Sequence, residues 1–269
     1  MTRLTDDLVR GVSGSLDSVD DMLRRTTGMG RMEMACDALG LSPGDISLEG
    51  FKAFAVPITS GLGVIKRFSE SVAEIARKLG MDASVTESSD VTGFAEAVNA
   101  GAETVFMADD TTFAAYNVKA GTYANNSFCT AAGYTSALKG AAGGLEGRKV
   151  LVLGAGRVGS IAAGMMVRGG AAVCVADIET ERAERLASAI GAKASDDIRK
   201  AISSHDLILN ASPARIPGSI IREGAIISSP GIPHTFDAEG LSKATVIHDP
   251  LDIGTSVMAM QSASFSRLK

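Results

Sequence analysis

Tryptophan is absent, and aromatic residues of every kind make up only 4% of the chain. The core must therefore be packed from small and aliphatic side chains. Cysteines number three, Cys36, Cys129 and Cys174, far apart and without CxxC spacing. That argues against a disulfide framework and against a zinc site, and it suits a reducing, cytoplasmic setting. The three histidines, His205, His234 and His248, also lack ligand spacing, so no metal is expected. No run of lysine or arginine exceeds two residues, and the formal net charge is −5. Phosphate binding over a nucleic-acid surface needs concentrated basic charge, so no nucleic-acid partner is expected. No apolar run approaches the ~20 residues that cross a bilayer, so no membrane partner is expected either. Residues 1–10 are polar and charged and do not read as a signal peptide.

What is present is ordinary for a folded protein: 269 residues, 45% hydrophobic and 21% charged, with 30 glycines. Such a length fits one large domain or two ordinary ones, with about three quarters of the unfolded surface buried. Leu4, Leu8, Val12, Leu16, Val19 and Leu23 recur at three- and four-residue steps, which predicts an amphipathic helix. Thr5 can cap it, and Asp6 and Asp7 suit its positive end. Gly11 and Gly14 weaken it in isolation, so it must dock on something. A short helix is expected over Met32 to Leu39 and a loop over Leu41 to Glu49.

Strands and helices then alternate. Phe54 to Ile58, Ala83 to Thr86 and Thr104 to Met107 read as strands. Helical patterns over Ile65 to Leu79 and around Phe94 to Val98 separate them. This alternation implies parallel pairing with right-handed crossovers. A second unit begins near Arg148. Its expected strands are Val150–Leu153, Ala172–Ala176, Leu207–Leu209, Ala225–Ser228 and Thr245–Ile247. The small-residue stretch Gly140 to Gly147, led into by a helix over Cys129 to Leu138, suggests a boundary. The chain then divides into residues 1–139, a substrate domain with a helical lid, and 140–269, a nucleotide-binding domain. The predicted class is α/β: a small amino-terminal domain with parallel strands, then a Rossmann domain.

Gly154-Ala155-Gly156-Arg157-Val158-Gly159 is a GxGxxG placed directly after a strand and at the start of a helix. That context makes it a dinucleotide fingerprint. Gly154 allows a tight turn, Gly156 a close approach of pyrophosphate, and Gly159 close helix packing. The helix amides then face an anion. Asp177 ends the next strand, 18 residues beyond Gly159. A carboxylate there accepts ribose hydroxyls and repels a 2′-phosphate, which favours NAD over NADP. Arg182 is the one neighbour able to blur that preference. Asn210-Ala-Ser212-Pro213 and Ser228-Ser-Pro230-Gly-Ile-Pro233 follow later strands. Either they line the cofactor crevice, through Ser212, Pro213 and Pro230, or their prolines only stop strands.

Three polar clusters mark the first domain: Thr59-Ser60-Gly61, Ala108-Asp109-Asp110 and Ala124-Asn125-Asn126. Loops after strands of α/β folds carry chemistry, and the same residue types also make ordinary caps and turns. In sequence, Pro57-Ile-Thr-Ser-Gly-Leu-Gly63, Phe68-Ser-Glu-Ser71, Met107-Ala-Asp-Asp110 with Thr112-Phe113, Ala124-Asn-Asn126 with Cys129-Thr130, and Pro250-Leu-x-Ile-Gly-Thr255 resemble the dehydrogenase family of pyrrolysine biosynthesis. The likeness runs in order from Leu4 to near Met258. It implies a NAD-dependent enzyme of two α/β domains. Its implied substrate is a small isopeptide, 3-methyl-D-ornithine joined to the lysine side-chain amine. Oxidation at the terminal amine, ring closure and loss of ammonia give pyrrolysine. Substrate contacts are implied at Leu4, Ser60, Phe68, Asp109 and Asn126, with Asp109 catalytic and the Leu4 helix a lid.

This chain departs from the family pattern in its longer segment before Phe54 and in Thr111, where a relative carries arginine. A homodimer is one assembly the sequence allows. Two other readings stand beside this one. One is a dehydrogenase of shikimate or methylenetetrahydrofolate type, for which Lys66 is the lone candidate lysine and reads as a solvated helix residue. The other is a non-catalytic protein that responds to NAD.

Overall fold

A computed structural model describes residues 4–233 and 236–268. Its elements in order are α1 (Asp6–Arg10), α2 (Val12–Thr27), α3 (Arg31–Asp37), β1 (Lys52–Val56), α4 (Phe68–Lys78), β2 (Asp82–Val85), α5 (Asp90–Asn99), β3 (Thr104–Ala108), β4 (Phe113–Asn117), β5 (Thr122–Asn125) and α6 (Asn126–Ala141). Then follow β6 (Lys149–Leu153), α7 (Arg157–Arg168), β7 (Ala172–Ala176), α8 (Thr180–Ile190), β8 (Lys193–Ser195), α9 (Ile198–Ser203), β9 (Leu207–Asn210), β10 (Ile226–Ser228), α10 (Ala238–Lys243), β11 (Thr245–Ile247) and α11 (Asp252–Arg267).

The chain divides into two compact units. The first holds residues up to Asp21, Gly30–Thr130 and everything from Pro250 on; the second holds Met22–Met29 and Ala131–Asp249. The division differs from a single cut at 139/140. The last segment returns to the first unit because α11 is buried there along most of its length, from Asp252 to Ala263. A helix buried on nearly all sides carries no amphipathic stripe, so its periodicity is silent in the sequence.

The sheet of the first unit has the order β2-β1-β3-β4-β5. Its first three strands are parallel, as the alternation predicts, but β4 and β5 extend it as an antiparallel meander. α5 covers one face, where Val56 and Val105 meet Ala97 and Ala102. α4 and α11 cover the other, where the Thr104 and Ser262 hydroxyls bond at 2.6 Å. The expected single first helix is broken at Gly11 into α1 and α2; Leu4, Val12, Leu16, Val19 and Leu23 of its stripe are buried, but in α1 the buried residue is Val9 and Leu8 is only half-buried. The second unit has a fully parallel six-stranded sheet, order β11-β10-β9-β6-β7-β8. That is the doubly wound dinucleotide-binding order, three strands to each side of a central switch point.

Candidate active site

Strands β1 and β3 lie side by side with Val56 opposite Met107. The segments after them therefore leave the first sheet at one edge. β4 starts from that edge, with Phe113 opposite Ala108, and β5 returns to it, with Asn125 opposite Ala114. This register gathers four residues that lie far apart in sequence. Ser60 follows β1, Asp109 follows β3 and Asn126 follows β5. Phe68 opens α4 and sets its ring edge-on to Phe113, 5.3 Å between centroids. Leu4 is buried just ahead of α1. From the same helix, Asp6 accepts the Lys66 backbone amide at 3.1 Å. The Lys66 side chain itself is exposed.

The adjacent aspartates have different partners. Asp109 Oδ1 accepts the backbone amides of Thr111 and Thr112, each at 2.7 Å, and the Thr111 hydroxyl at 2.8 Å. This is a turn of the Asx kind. The Thr111 amide foremost, then Thr112, holds the Asp109 carboxyl below the ordinary carboxylate range. All three bonds fall on one oxygen, and the side chain is exposed. Asp110 instead reaches across to the loop after β1, where its Oδ2 accepts the Leu62 amide at 2.9 Å. That loop is tied at its start too. Thr59 donates its backbone amide and its hydroxyl to Asp90, which lowers the Asp90 pKa.

The adjacent asparagines are likewise distinct. Asn125 caps α6, accepting from the amides of Ser127 and Phe128. Asn126 accepts the Thr130 hydroxyl at 3.1 Å. The start of α11 abuts this pair: a Cβ added to Gly254 would lie 2.6 Å from Thr130 Oγ1 and 3.3 Å from Asn126 Oδ1. The part played by Gly254 is invisible in the sequence, because its partners lie more than a hundred residues upstream. The start of α11 is held in turn by a buried ion pair. Arg31 donates from Nε and Nη2 to the Asp252 carboxylate at 2.8 and 2.7 Å, and from Nη2 to the Leu16 carbonyl at 2.6 Å.

The second unit builds its turn as the fingerprint requires. Gly154 has φ +93 and packs on Ala211, and a Cβ on Gly159 would meet the Gly154 carbonyl oxygen at 1.9 Å. Neither position admits a side chain. At Gly156, by contrast, an added Cβ meets nothing within 4 Å. The backbone there is open to a ligand, at the amino end of the 12-residue α7. Arg157 and Val158 form the first turn of that helix. Asp177 follows β7 and accepts the Ala155 amide at 2.6 Å and the Glu179 amide at 2.9 Å. Arg182 is ion-paired to Glu179 at 2.8 Å, on the surface.

Asn210 organises the remaining turns. Its carbonyl oxygen Oδ1 accepts from the Ser212 amide and hydroxyl, its Nδ2 donates to Ser229 Oγ, and its backbone carbonyl accepts the Gly231 amide. Ser212, Pro213 and Pro230 therefore sit at the carboxyl ends of β9 and β10, beside the glycine turn that follows β6. Asn210 itself has no sequence signal beyond ending a strand.

Burial raises the Cys36 thiol to about 11 and pushes Cys129 and Cys174 up as well. None offers a thiolate at neutral pH. Among the described residues no group of three His, Cys, Asp or Glu side chains is placed to hold a metal, and no helix is long and apolar enough to cross a membrane. His234 lies outside the described residues.

Residues 9–124 match the family described as pyrrolysine biosynthesis protein PylD, N-terminal domain. The pyrrolysine synthase of Methanosarcina acetivorans is 35% identical over 262 residues, 96% of this chain and 98% of that protein. The chain belongs to the pyrrolysine synthase family. Residues 120–223 match the alanine dehydrogenase/PNT C-terminal domain. Among solved structures, quinate dehydrogenase from Corynebacterium glutamicum in complex with NAD superposes with a TM-score of 0.55 at 15% identity, covering 82% of this chain and 96% of that one. Shikimate 5-dehydrogenase from Thermus thermophilus, in complex with NADP(H) and shikimate, gives 0.54 at 20% identity over 81% and 95%. At such identities the likeness is one of fold. This pyrrolysine synthase relative thus has a dehydrogenase fold with a Rossmann-type nucleotide domain.

Proposed function

We propose that the protein oxidises the terminal amine of 3-methyl-D-ornithyl-N6-L-lysine with NAD and so forms pyrrolysine. The observation that carries this reading is the gathering of Ser60, Phe68, Asp109 and Asn126 at one edge of the first sheet, in a chain similar to pyrrolysine synthases over nearly its whole length. When bound, the nicotinamide supplies the hydride acceptor. Gly154 to Gly159 would hold its pyrophosphate, for which the open backbone at Gly156 has room. Asp177 would hold the adenosine ribose.

Hydride can leave the amine-bearing carbon only when the nitrogen lone pair is free. An ordinary alkylammonium titrates near ~10.4, so the reacting species is the small fraction that has released its proton to solvent. Asp109 is a poor acceptor for that proton, because its turn holds the carboxylate ionised. The fixed negative charge instead stabilises the iminium cation that develops as hydride leaves. Ser60 and Asn126 orient the amide and amine groups of the substrate, and Phe68 provides an apolar wall. The substrate's own α-amine then attacks the iminium carbon, ammonia leaves, and a five-membered ring with one carbon–nitrogen double bond closes. Intramolecular attack has a large effective concentration. Turnover of the isopeptide with NAD, with NADH absorbance and product mass followed together, tests the reading. NADH without the ring product, or neither, overturns it.

Two consequences can be measured separately. Asp177→Ser removes the charge that repels a 2′-phosphate, while the Arg182 guanidinium remains nearby. The ratio of kcat/KM for NADP to that for NAD should rise by about tenfold or more, the scale of one charged hydrogen bond. An unchanged ratio would remove Asp177 from cofactor choice. The second concerns the lid. Leu4→Ala empties a buried apolar position ahead of α1, which should loosen that helix. Turnover should fall while NAD affinity, measured by calorimetry, stays the same. Unaltered steady-state kinetics would count against a lid.

A further inference from the structure

We infer that Asp110 is a positioning residue: its carboxylate fastens the loop after β1 so that Ser60 is presented to the substrate. The inference rests on the proposed substrate role of Ser60 and deepens it. Parallel pairing of β1 with β3 sets the two loops side by side. From the β3–β4 turn, the Asp110 side chain lies over the backbone of Gly61. A Cβ on Gly61 would sit 2.1 Å from Asp110 Oδ2 and 2.8 Å from its Cγ. Gly61 also has φ +68, where side chains are strained. The same Oδ2 accepts the Leu62 amide at 2.9 Å. Backbone conformation and close approach thus both demand glycine at 61, and a carboxylate occupies the space it leaves.

The bond closes only if the turn carrying Asp110 is itself held. Asp109 provides that by accepting from the Thr111 and Thr112 amides. The adjacent carboxylates therefore have separate roles. Asp109 shapes the turn, and Asp110 carries that shape to the Ser60 loop. The loop needs such an anchor because Leu62 and Val64 are 78% and 48% exposed and contribute little packing of their own.

The test compares Asp110→Ala, Asp110→Asn, Ser60→Ala and the Asp110→Ala/Ser60→Ala pair. Asparagine keeps an oxygen that accepts the Leu62 amide but loses the charge. Asp110→Ala should raise KM for the isopeptide by roughly tenfold, the effect of losing one hydrogen bond to a charged group, with a smaller fall in kcat. Asp110→Asn should restore most of that loss. The pair should cost little more than Ser60→Ala alone, because a displaced loop and a missing hydroxyl forfeit the same contact.

Asp110→Asn as damaging as Asp110→Ala would mean that the charge meets the substrate directly, and the positioning role falls. Additive effects in the pair would overturn it as well. Ser60→Ala with unchanged KM would instead defeat the reading of Ser60 as a contact, and this inference with it. Hydrogen exchange at the Leu62 amide, followed by NMR in protein with 15N-labelled leucine, gives a readout that needs no substrate. Protection should be lost in Asp110→Ala and kept in Asp110→Asn; protection retained in Asp110→Ala overturns the anchor.

Discussion

Asp109→Asn should slow single-turnover NADH formation by roughly 10²–10³, the usual effect of removing one well-placed electrostatic group. The substitution is clean because of where the carboxylate bonds fall. Asparagine offers the same Oδ1 to the Thr111 and Thr112 amides, so the turn survives. Only the charge is lost. Saturating isopeptide mixed with enzyme and NAD, with absorbance followed on the stopped-flow scale, reports the hydride step. A near wild-type rate would remove Asp109 from the chemistry.

The pH dependence carries a second signature. The hydrogen bonds to the Thr111 and Thr112 backbone depress the folded-state pKa of Asp109. A depressed carboxylate contributes fully above its unfolded value, near ~3.9, and that contribution is lost as pH falls through the lower folded value. Asp109 therefore stays charged across the neutral range. An essential acidic group titrating near neutrality that disappears in Asp109→Asn would show it acting as a base after all.

The largest expected loss of stability lies at Arg31 and Asp252. Both are buried, and Asp252 Oδ1 also accepts the Ser256 hydroxyl at 2.9 Å. Removing either partner breaks a buried charge pair, which costs about 3–5 kcal/mol; the Asp252 substitution falls at the lower end, because Arg31 keeps a longer contact to Asp20 at 3.9 Å. Arg31→Ala or Asp252→Ala should therefore lower the thermal midpoint by about 10 °C. The pair Arg31→Met/Asp252→Leu should recover much of that loss, since apolar groups of similar volume leave neither of these two charges buried without the other. Calorimetric unfolding of the singles and the pair decides it. Singles within about 1 kcal/mol of wild type would mean that water reaches the site. Loosening here also frees the start of α11, so Gly254 would cease to abut Asn126, and substrate KM should rise in the singles.

The glycine turn after β6 was legible because its signals are local. A short apolar strand, three glycines and an acidic residue one strand further on lie within 28 residues, Val150 to Asp177. Each glycine answers to a contact inside its own turn or with the next strand end. The parallel strands of both units were legible for the same reason, as apolar runs bounded by turns, except β8, whose Lys193-Ala-Ser195 is short and polar. The hairpin of β4 and β5 was not: Phe113-Ala-Ala-Tyr-Asn117 is rich in small residues, and Thr122–Asn125 spans only four. Neither segment alternates strongly enough to read as a strand.

The sequence alone therefore determined the α/β class, the glycine turn that Asp177 closes, and the polar clusters on which the proposed substrate site draws. Within each cluster it left neighbours equivalent. Tertiary structure decided that Asp109 closes its own turn while Asp110 anchors the Ser60 loop, and that Asn125 caps a helix while Asn126 meets Thr130. It also decided that the last helix returns to the first unit, held by an ion pair between residues 221 positions apart. The physical reason is one of range. Turn and strand preferences act over a few residues, whereas the partner of a carboxylate or a close-packed glycine is chosen by which strands lie side by side.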